Sequence, residues 1–219
     1  MARIFVLLAL TCALALAAGE EARAEDDILG APPARTASPD LDRKIERLEK
    51  STPITSENYR AHYDLGNLYY DANRLEEAEG RLRRVLELNP KYAKAMVNLG
   101  SVLSDLGRNA DAAEILEQVL AVDPEDCKAR SNLGNAYYAL ERYPDAMYEY
   151  MRAIEIDPKC YSACFNIAVA FADAGIFREA VRWWKEVVRI APGTDAARQA
   201  AENVELLQQF VQGPIPAPR

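Results

Sequence analysis

An all-α fold, a solenoid of four stacked helix–turn–helix units with a capping helix at each end, follows from three observations. A leucine- or isoleucine-centred line recurs every 34 residues, as Tyr63–Asn67, Val97–Ser101, Ser131–Asn135 and Phe165–Val169. Each line is followed at fixed offsets by a large residue (Tyr69, Leu103, Tyr137, Phe171), an alanine (Ala78, Ala112, Ala146, Ala180), a bulky residue (Leu82, Leu116, Tyr150, Trp184) and a proline (Pro90, Pro124, Pro158, Pro192). Within each unit the apolar residues are spaced by three and four, the signature of one helix face. A fixed period of this length marks supersecondary units that bury their apolar faces by stacking on one another.

The first residues read as an export signal occupying 1–24. Arg3 precedes the uncharged apolar run Ile4–Ala18, and a polar stretch then ends in the small-x-small pattern Ala22-Arg23-Ala24. Cleavage is expected after Ala24, with Ala15-Leu16-Ala17 as an earlier alternative. The apolar run is short for the about 20 residues a spanning helix needs, so a retained anchor is the weaker reading and no membrane insertion is expected after cleavage. Residues 25–39, with three prolines, a glycine and no periodicity, read as a flexible leader.

Residues 40–58 hold a short amphipathic helix, with Leu41, Ile45 and Leu48 on one side, and a link begun by Pro53. The helix is expected to cover the open end of the stack, which otherwise exposes apolar surface. The four repeats follow as 59–92, 93–126, 127–160 and 161–192. In each, a first helix carries the leucine line and a turn column holds Asn73, Gly107, Glu141 or Gly175. Asn and Gly tolerate a left-handed backbone there, and Glu141 is the exception. The second helix is expected to bury Ala78, Leu82, Val85 and Leu86 in the first unit, and Ala112, Leu116, Val119 and Leu120 in the second. Proline ends it, lacking an N–H and disfavouring helix in the residue before it. Residues 193–212 read as a C-terminal capping helix that Thr194 or Asp195 can start, and 213–219 as a disordered tail.

These motifs resemble the tetratricopeptide repeat family. Its Leu-Gly pair, aromatic, alanine, aromatic and proline stand here as Leu133-Gly134, Tyr137, Ala146, Tyr150 and Pro158, and the resemblance spans Tyr59–Pro192. The family's early Trp is replaced by His62, Met96, Arg130 and Cys164, and Ala168 replaces Gly in the last repeat. The resemblance implies a right-handed α-solenoid, and a concave groove lined by the first helices that holds an extended peptide or a partner's helix.

Carried onto this sequence, the groove comprises Arg60, Lys94, Lys128 and Ser162; Asp64, Asn98, Asn132 and Asn166; and Tyr63, Val97, Ser131 and Phe165. One turn further lie Asn67, Ser101, Asn135 and Val169, then Tyr70, Ser104, Tyr138 and Ala172. An asparagine amide carries both donors and an acceptor, so it can pair with a peptide backbone of any sequence. The tyrosines and Phe165 add apolar surface at low entropic cost. Arg60, Lys94 and Lys128 favour acidic groups on the ligand, although Asp71, Asp105 and Asp173 form a nearby acidic column. The alternative is a plain solvated face. Removing Asn98 and Asn132 is expected to weaken capture and leave melting unchanged. Asn67, Asn98 and Lys128 partly match the family's carboxylate clamp, but Tyr63 and Asn132 stand where that clamp is basic.

No catalytic constellation is present. The one histidine, His62, occupies a packing column and reads as a partly buried or surface residue. Cys160 and Cys164 are two ligands where a closed zinc site wants four, and no phosphate loop or nucleophile elbow occurs. No cofactor is expected. The net charge of −8 disfavours nucleic acid as a partner. Cys127, Cys160 and Cys164 are expected to be thiols, with a strained Cys160–Cys164 bond as the alternative. Trp184 belongs to the buried column, while Trp183 points toward the terminal helix or a partner.

The expected partner is therefore another protein or a peptide, with homo-oligomerisation through a convex face or Trp183 as the alternative. The expected location is the bacterial periplasm, with secretion or a signal anchor as alternatives. The expected role is an adaptor or assembly factor for an envelope complex.

Overall fold

The computed structural model describes residues 38–53 and 55–211. The expected export signal 1–24, the expected leader up to residue 37 and the expected tail 213–219 lie outside the described residues. Among the described residues the regular structure is ten α-helices. They are α1 (Pro39–Ser51), α2 (Tyr59–Asp71), α3 (Leu75–Leu88), α4 (Ala93–Asp105) and α5 (Asn109–Val122), then α6 (Cys127–Ala139), α7 (Tyr143–Ile156), α8 (Tyr161–Asp173), α9 (Phe177–Ile190) and α10 (Asp195–Val211). The chain forms two compact units: α1–α6 belong to Gly30–Leu140, and α7–α10 to the unit containing Glu141–Arg219.

In the first unit, α2 pairs with α3 and α4 with α5, while α2 touches α4 and α4 touches α6. The first helices thus lie side by side, as a stack of helix pairs requires. The alanine column lets paired helices approach: Ala78 and Ala112 are 0% exposed, as are Leu82 and Leu116 beside them. Leu86 and Leu120, expected in the same core, are half-buried, because they sit one residue past Val85 and Val119, which take the core-facing position. The glycine after each leucine has its own reason. A Cβ on Gly100 would come within 2.7 Å of Leu116 Cγ, and one on Gly66 within 3.1 Å of Leu82 Cγ. Leucine packs directly on the neighbouring helix backbone.

The turns close by the Schellman arrangement, which satisfies the last carbonyls of a helix. Arg74 N–H donates to the Tyr69 carbonyl (2.8 Å), Arg108 N–H to Leu103 (2.8 Å) and Ile176 N–H to Phe171 (2.8 Å). The residue at the reversal is left-handed in each case, with φ of 57° at Asn73, 76° at Gly107 and 70° at Gly175. Glu141 adopts the same conformation at 60° despite its side chain.

Helix starts are fixed locally. Ser38 caps α1, Asn58 caps α2 and Asp126 caps α6, each side chain accepting from an N–H of the first turn. Thr194 caps α10, accepting from Ala197 N–H at 3.1 Å.

In the second unit the alanines (Ala146, Ala180) are again fully buried, and the bulky column is filled by Tyr150 and Trp184. Ala168 takes the glycine's place and is itself 0% exposed. α10 packs on α9 and α8 through Ala197, Ala200, Val204 and Leu207. Arg198, Glu202 and Glu205 are exposed on it, at the columns where the last repeat has Cys164, Ala168 and Phe171. Charge at those columns ends the repeat, because a further helix would have to bury it.

Candidate functional site

The first helices of the Gly30–Leu140 unit carry a hydrogen-bonded ladder. Asn98 Nδ2 on α4 donates to Asn67 Oδ1 at 2.7 Å and to Tyr63 Oη at 3.1 Å, both on α2. Asn132 Nδ2 on α6 donates to Ser101 Oγ on α4 at 2.7 Å, and Ser101 donates to the Val97 carbonyl at 3.3 Å. Every rung runs from a later repeat to an earlier one. These residues are half-buried, so the amides are partly dry and partly presented to solvent.

This corrects one expectation. The asparagines do not stand idle until a ligand arrives: their N–H groups cross-brace adjacent helices. What they still offer is the remaining capacity of the amide, above all the carbonyl oxygens of Asn98 and Asn132 and the donors of Asn67. Removing Asn98 or Asn132 is then expected to cost stability, because a partly buried bond partner is left behind.

Around the ladder the expected charges are outside. Arg60, Asp64, Lys94 and Lys128 are exposed, and Tyr70, Asn135 and Tyr138 are half-buried and engaged in contacts. At the α2–α4 junction Tyr63 meets Tyr92 edge-on (5.2 Å between ring centres), and Tyr59 meets the same ring at 5.4 Å. Arg60 Nε donates to Tyr59 Oη at 3.4 Å. Burial, and then the neighbouring Tyr63 and Tyr59, hold the Tyr92 phenol above its ordinary range. The repeat period gives no signal at Tyr92, because its equivalents, Asp126 and Cys160, are not aromatic.

The ladder of Tyr63, Val97, Ser131 and Phe165 is not one open surface. Val97 is 6% exposed and Ser131 0%. Ala172, expected along the same groove, is also buried. Phe165 and Asn166 belong to the other unit, where the Phe165 ring lies edge-on to Trp184 at 6.4 Å and so packs into its own repeat. Asn166 is half-buried and engaged. Trp183 is half-buried beside the fully buried Trp184.

His62 is 0% exposed, deeper than the sequence reading had it. Its Nε2 lies 3.0 Å from the Ser56 carbonyl and its Nδ1 3.3 Å from Arg81 Nη1. Burial, followed by Arg81 and Arg84, outweighs the Ser56 bond and holds the imidazole below its ordinary range.

Cys127, Cys160 and Cys164 are thiols, with no disulfide joining them. Cysteines one turn apart on a helix cannot reach the required geometry without distorting it. Among the described residues no cluster of three or more metal-ligating side chains occurs, and no helix is long and apolar enough to cross a membrane.

Two tetratricopeptide family models match the chain, one a TPR repeat over residues 66–107 and the other a tetratricopeptide repeat over residues 97–159. No curated protein sequence matches the chain. Solved structures similar to it include MamA, at 24% identity and TM-score 0.56, covering 69% of this chain and 88% of that one. MamA from Desulfovibrio magneticus RS-1 is similar at 20% identity and TM-score 0.57, covering 71% and 88%. A third is YrrB, described as a TPR protein with an unusual peptide-binding site, at 22% identity and TM-score 0.52, covering 74% and 84%. At these identities the likeness establishes the all-helical repeat fold.

Proposed function

Taking the tetratricopeptide repeats of residues 66–159 as the premise, we propose that this chain is a non-enzymatic interaction module whose first helices α2, α4 and α6 bind an extended peptide or a partner helix. The observation that carries this reading is the ladder from Asn132 through Ser101 and from Asn98 to Asn67 and Tyr63. Cross-bracing holds these amides in fixed positions, so a ligand meets preorganised polar groups and little ordering cost is left to the binding step. Arg60, Lys94 and Lys128 flank them and give acidic ligand groups a favourable approach. Peptide binding in YrrB supports the mode on the same fold.

The chain acts in the bacterial periplasm, delivered by the signal at 1–24, as an adaptor or assembly factor for an envelope complex. Affinity of selected display-library peptides for the full chain tests the binding mode. Asn98→Ala with Asn132→Ala is expected to weaken them about tenfold, equivalent to ~1.4 kcal/mol. Equal affinity in both proteins rejects the face. Fractionation of cells producing the full chain tests the location: an unprocessed product confined to the cytoplasm rejects export.

A second reading, self-association as a scaffold, rests on large apolar side chains left outside on second helices: Val122 is 87% exposed and Tyr148 60%. Sedimentation over a wide concentration range separates the two, since a strictly monomeric particle excludes the scaffold.

A further inference from the structure

We propose that His62 is an acid-sensitive latch: neutral, it holds α1 and the link to α2 on the end of the Gly30–Leu140 unit, and its protonation releases them. This device is independent of peptide binding on the ladder.

The two bonds at the ring define its chemistry. A carbonyl can only accept, so Nε2 carries the hydrogen that bonds Ser56; a guanidinium can only donate, so Nδ1 accepts from Arg81. The imidazole is therefore neutral in the latched state. Arg81 Nη1 also donates to the Thr52 carbonyl at 3.0 Å. One nitrogen of α3 thus joins the C-terminal end of α1 to His62, while His62 joins the link at Ser56. Thr52 is 2% exposed and His62 fully buried, so water does not replace these bonds at low cost.

A second proton on the ring must go to Nδ1, where it faces Arg81 at 3.3 Å. The bond is lost and a like charge takes its place in a buried site. The charged groups bearing on the ring from α3 are Arg81 and Arg84, both cations. Among the described residues, the link presents the Ser56 carbonyl to the ring and the end of α1 presents the Thr52 carbonyl to Arg81, while the Glu57 carboxylate beside Ser56 is exposed. The carboxylate of α1 nearest this end, Glu49, accepts from Tyr69 Oη and lies 3.9 Å from Arg74. If Arg81 swings away from a charged ring, it also lets go of Thr52.

α1 packs on α2 alone among the described helices, so it has little else to hold it. Ile45, 1% exposed, is its main apolar anchor. Acidification below about 6.5, the ordinary histidine value, is thus expected to loosen the segment 39–58 before the rest of the unit.

His62 is the one histidine of the chain, which makes the test clean. Amide hydrogen exchange of the full chain is followed at about pH 7 and pH 5 and corrected for intrinsic rates. Protection of 39–58 is expected to fall about tenfold or more while 109–139 keeps its protection. His62→Gln, which retains a donor and an acceptor and takes up no proton, is expected to flatten the response. Nitrogen-labelled histidine NMR on the unmodified chain reads the ring directly, whether or not the variant folds. An Nε2–H tautomer titrating below 6.5 is expected. A titration at or above 6.5, the Nδ1–H tautomer, or pH-independent protection of 39–58 overturns the latch.

Discussion

The hydroxyl of Tyr137 on α6 donates to Glu117 Oε1 on α5 at 2.6 Å, and the hydroxyl of Tyr69 on α2 meets Glu49 on α1 in the same way. In both pairs the carboxylate lies 20 residues before the tyrosine. α1 therefore stands toward α2 as the second helix of a repeat stands toward the first helix of the next. It is half a repeat, with Leu41 and Leu48 one period before Leu75 and Leu82. Where the aromatic column holds Leu103 or Phe171, the residue 20 positions earlier is Arg83 or Met151, and no such bond can form.

Tyr137→Phe keeps the buried ring and removes the hydroxyl that makes this bond. A loss of about 1 kcal/mol is expected in denaturant unfolding, and Tyr69→Phe should behave alike. Glu117→Gln combined with Tyr137→Phe should cost clearly less than the sum of the two single changes. Additive losses would show that the pair does not couple the two helices.

The glycines in the helices differ in a way that melting can read. Gly100→Ala drives a Cβ to 2.7 Å from Leu116 Cγ and is expected to cost about 1–3 kcal/mol. Gly66→Ala meets Leu82 at 3.1 Å and should cost less. Gly80 has nothing within 4 Å, so Gly80→Ala is expected to stabilise by about 1 kcal/mol through helix propensity alone. Equal effects at all three positions would contradict this packing.

Glu141 sits at a φ of 60°, where an L side chain is strained by roughly 1–2 kcal/mol. Glu141→Gly is expected to raise the midpoint of thermal unfolding, and Gly107→Ala, at φ 76°, to lower it. An unchanged or lowered midpoint for Glu141→Gly would mean the strain is offset by a contact of the side chain.

Burial pushes the Cys164 thiol up to about 12, from an ordinary 9.0. In the unfolded chain it ionises first, so its contribution to stability is complete below about pH 9 and lost as pH rises toward 12. Denaturant unfolding across that range should show a decline that Cys164→Ala reduces. At neutral pH a thiol reagent should modify the half-buried Cys127 well before Cys164. Faster modification of Cys164 would contradict its burial.

Much of the fold was legible because a repeat states its own rules several times. The columns of alanine, bulky residue and proline are buried or terminate helices as their recurrence implied, and the turn column is left-handed at Asn73, Gly107 and Gly175. Legibility fails where one copy departs from the others. Tyr92 packs against Tyr59 and Tyr63 from a column that holds Asp126 and Cys160 in the next repeats, and His62 replaces a packing residue with a titratable one whose partners, Ser56 and Arg81, lie on other segments.

Periodicity by itself determined that the repeats are helical, that the alanine and bulky columns face inward, and which face of each first helix carries asparagine and tyrosine. That information is local, since spacing of three and four dictates a helix face whatever lies opposite. Only the tertiary structure decided that Asn98 and Asn132 bond their neighbours, that Val97 and Ser131 are covered, and that His62 bridges a link and a helix. Those outcomes depend on how far one helix lies from the next and on which donor reaches which acceptor, and no pattern along a single strand of sequence encodes a distance between two of its turns.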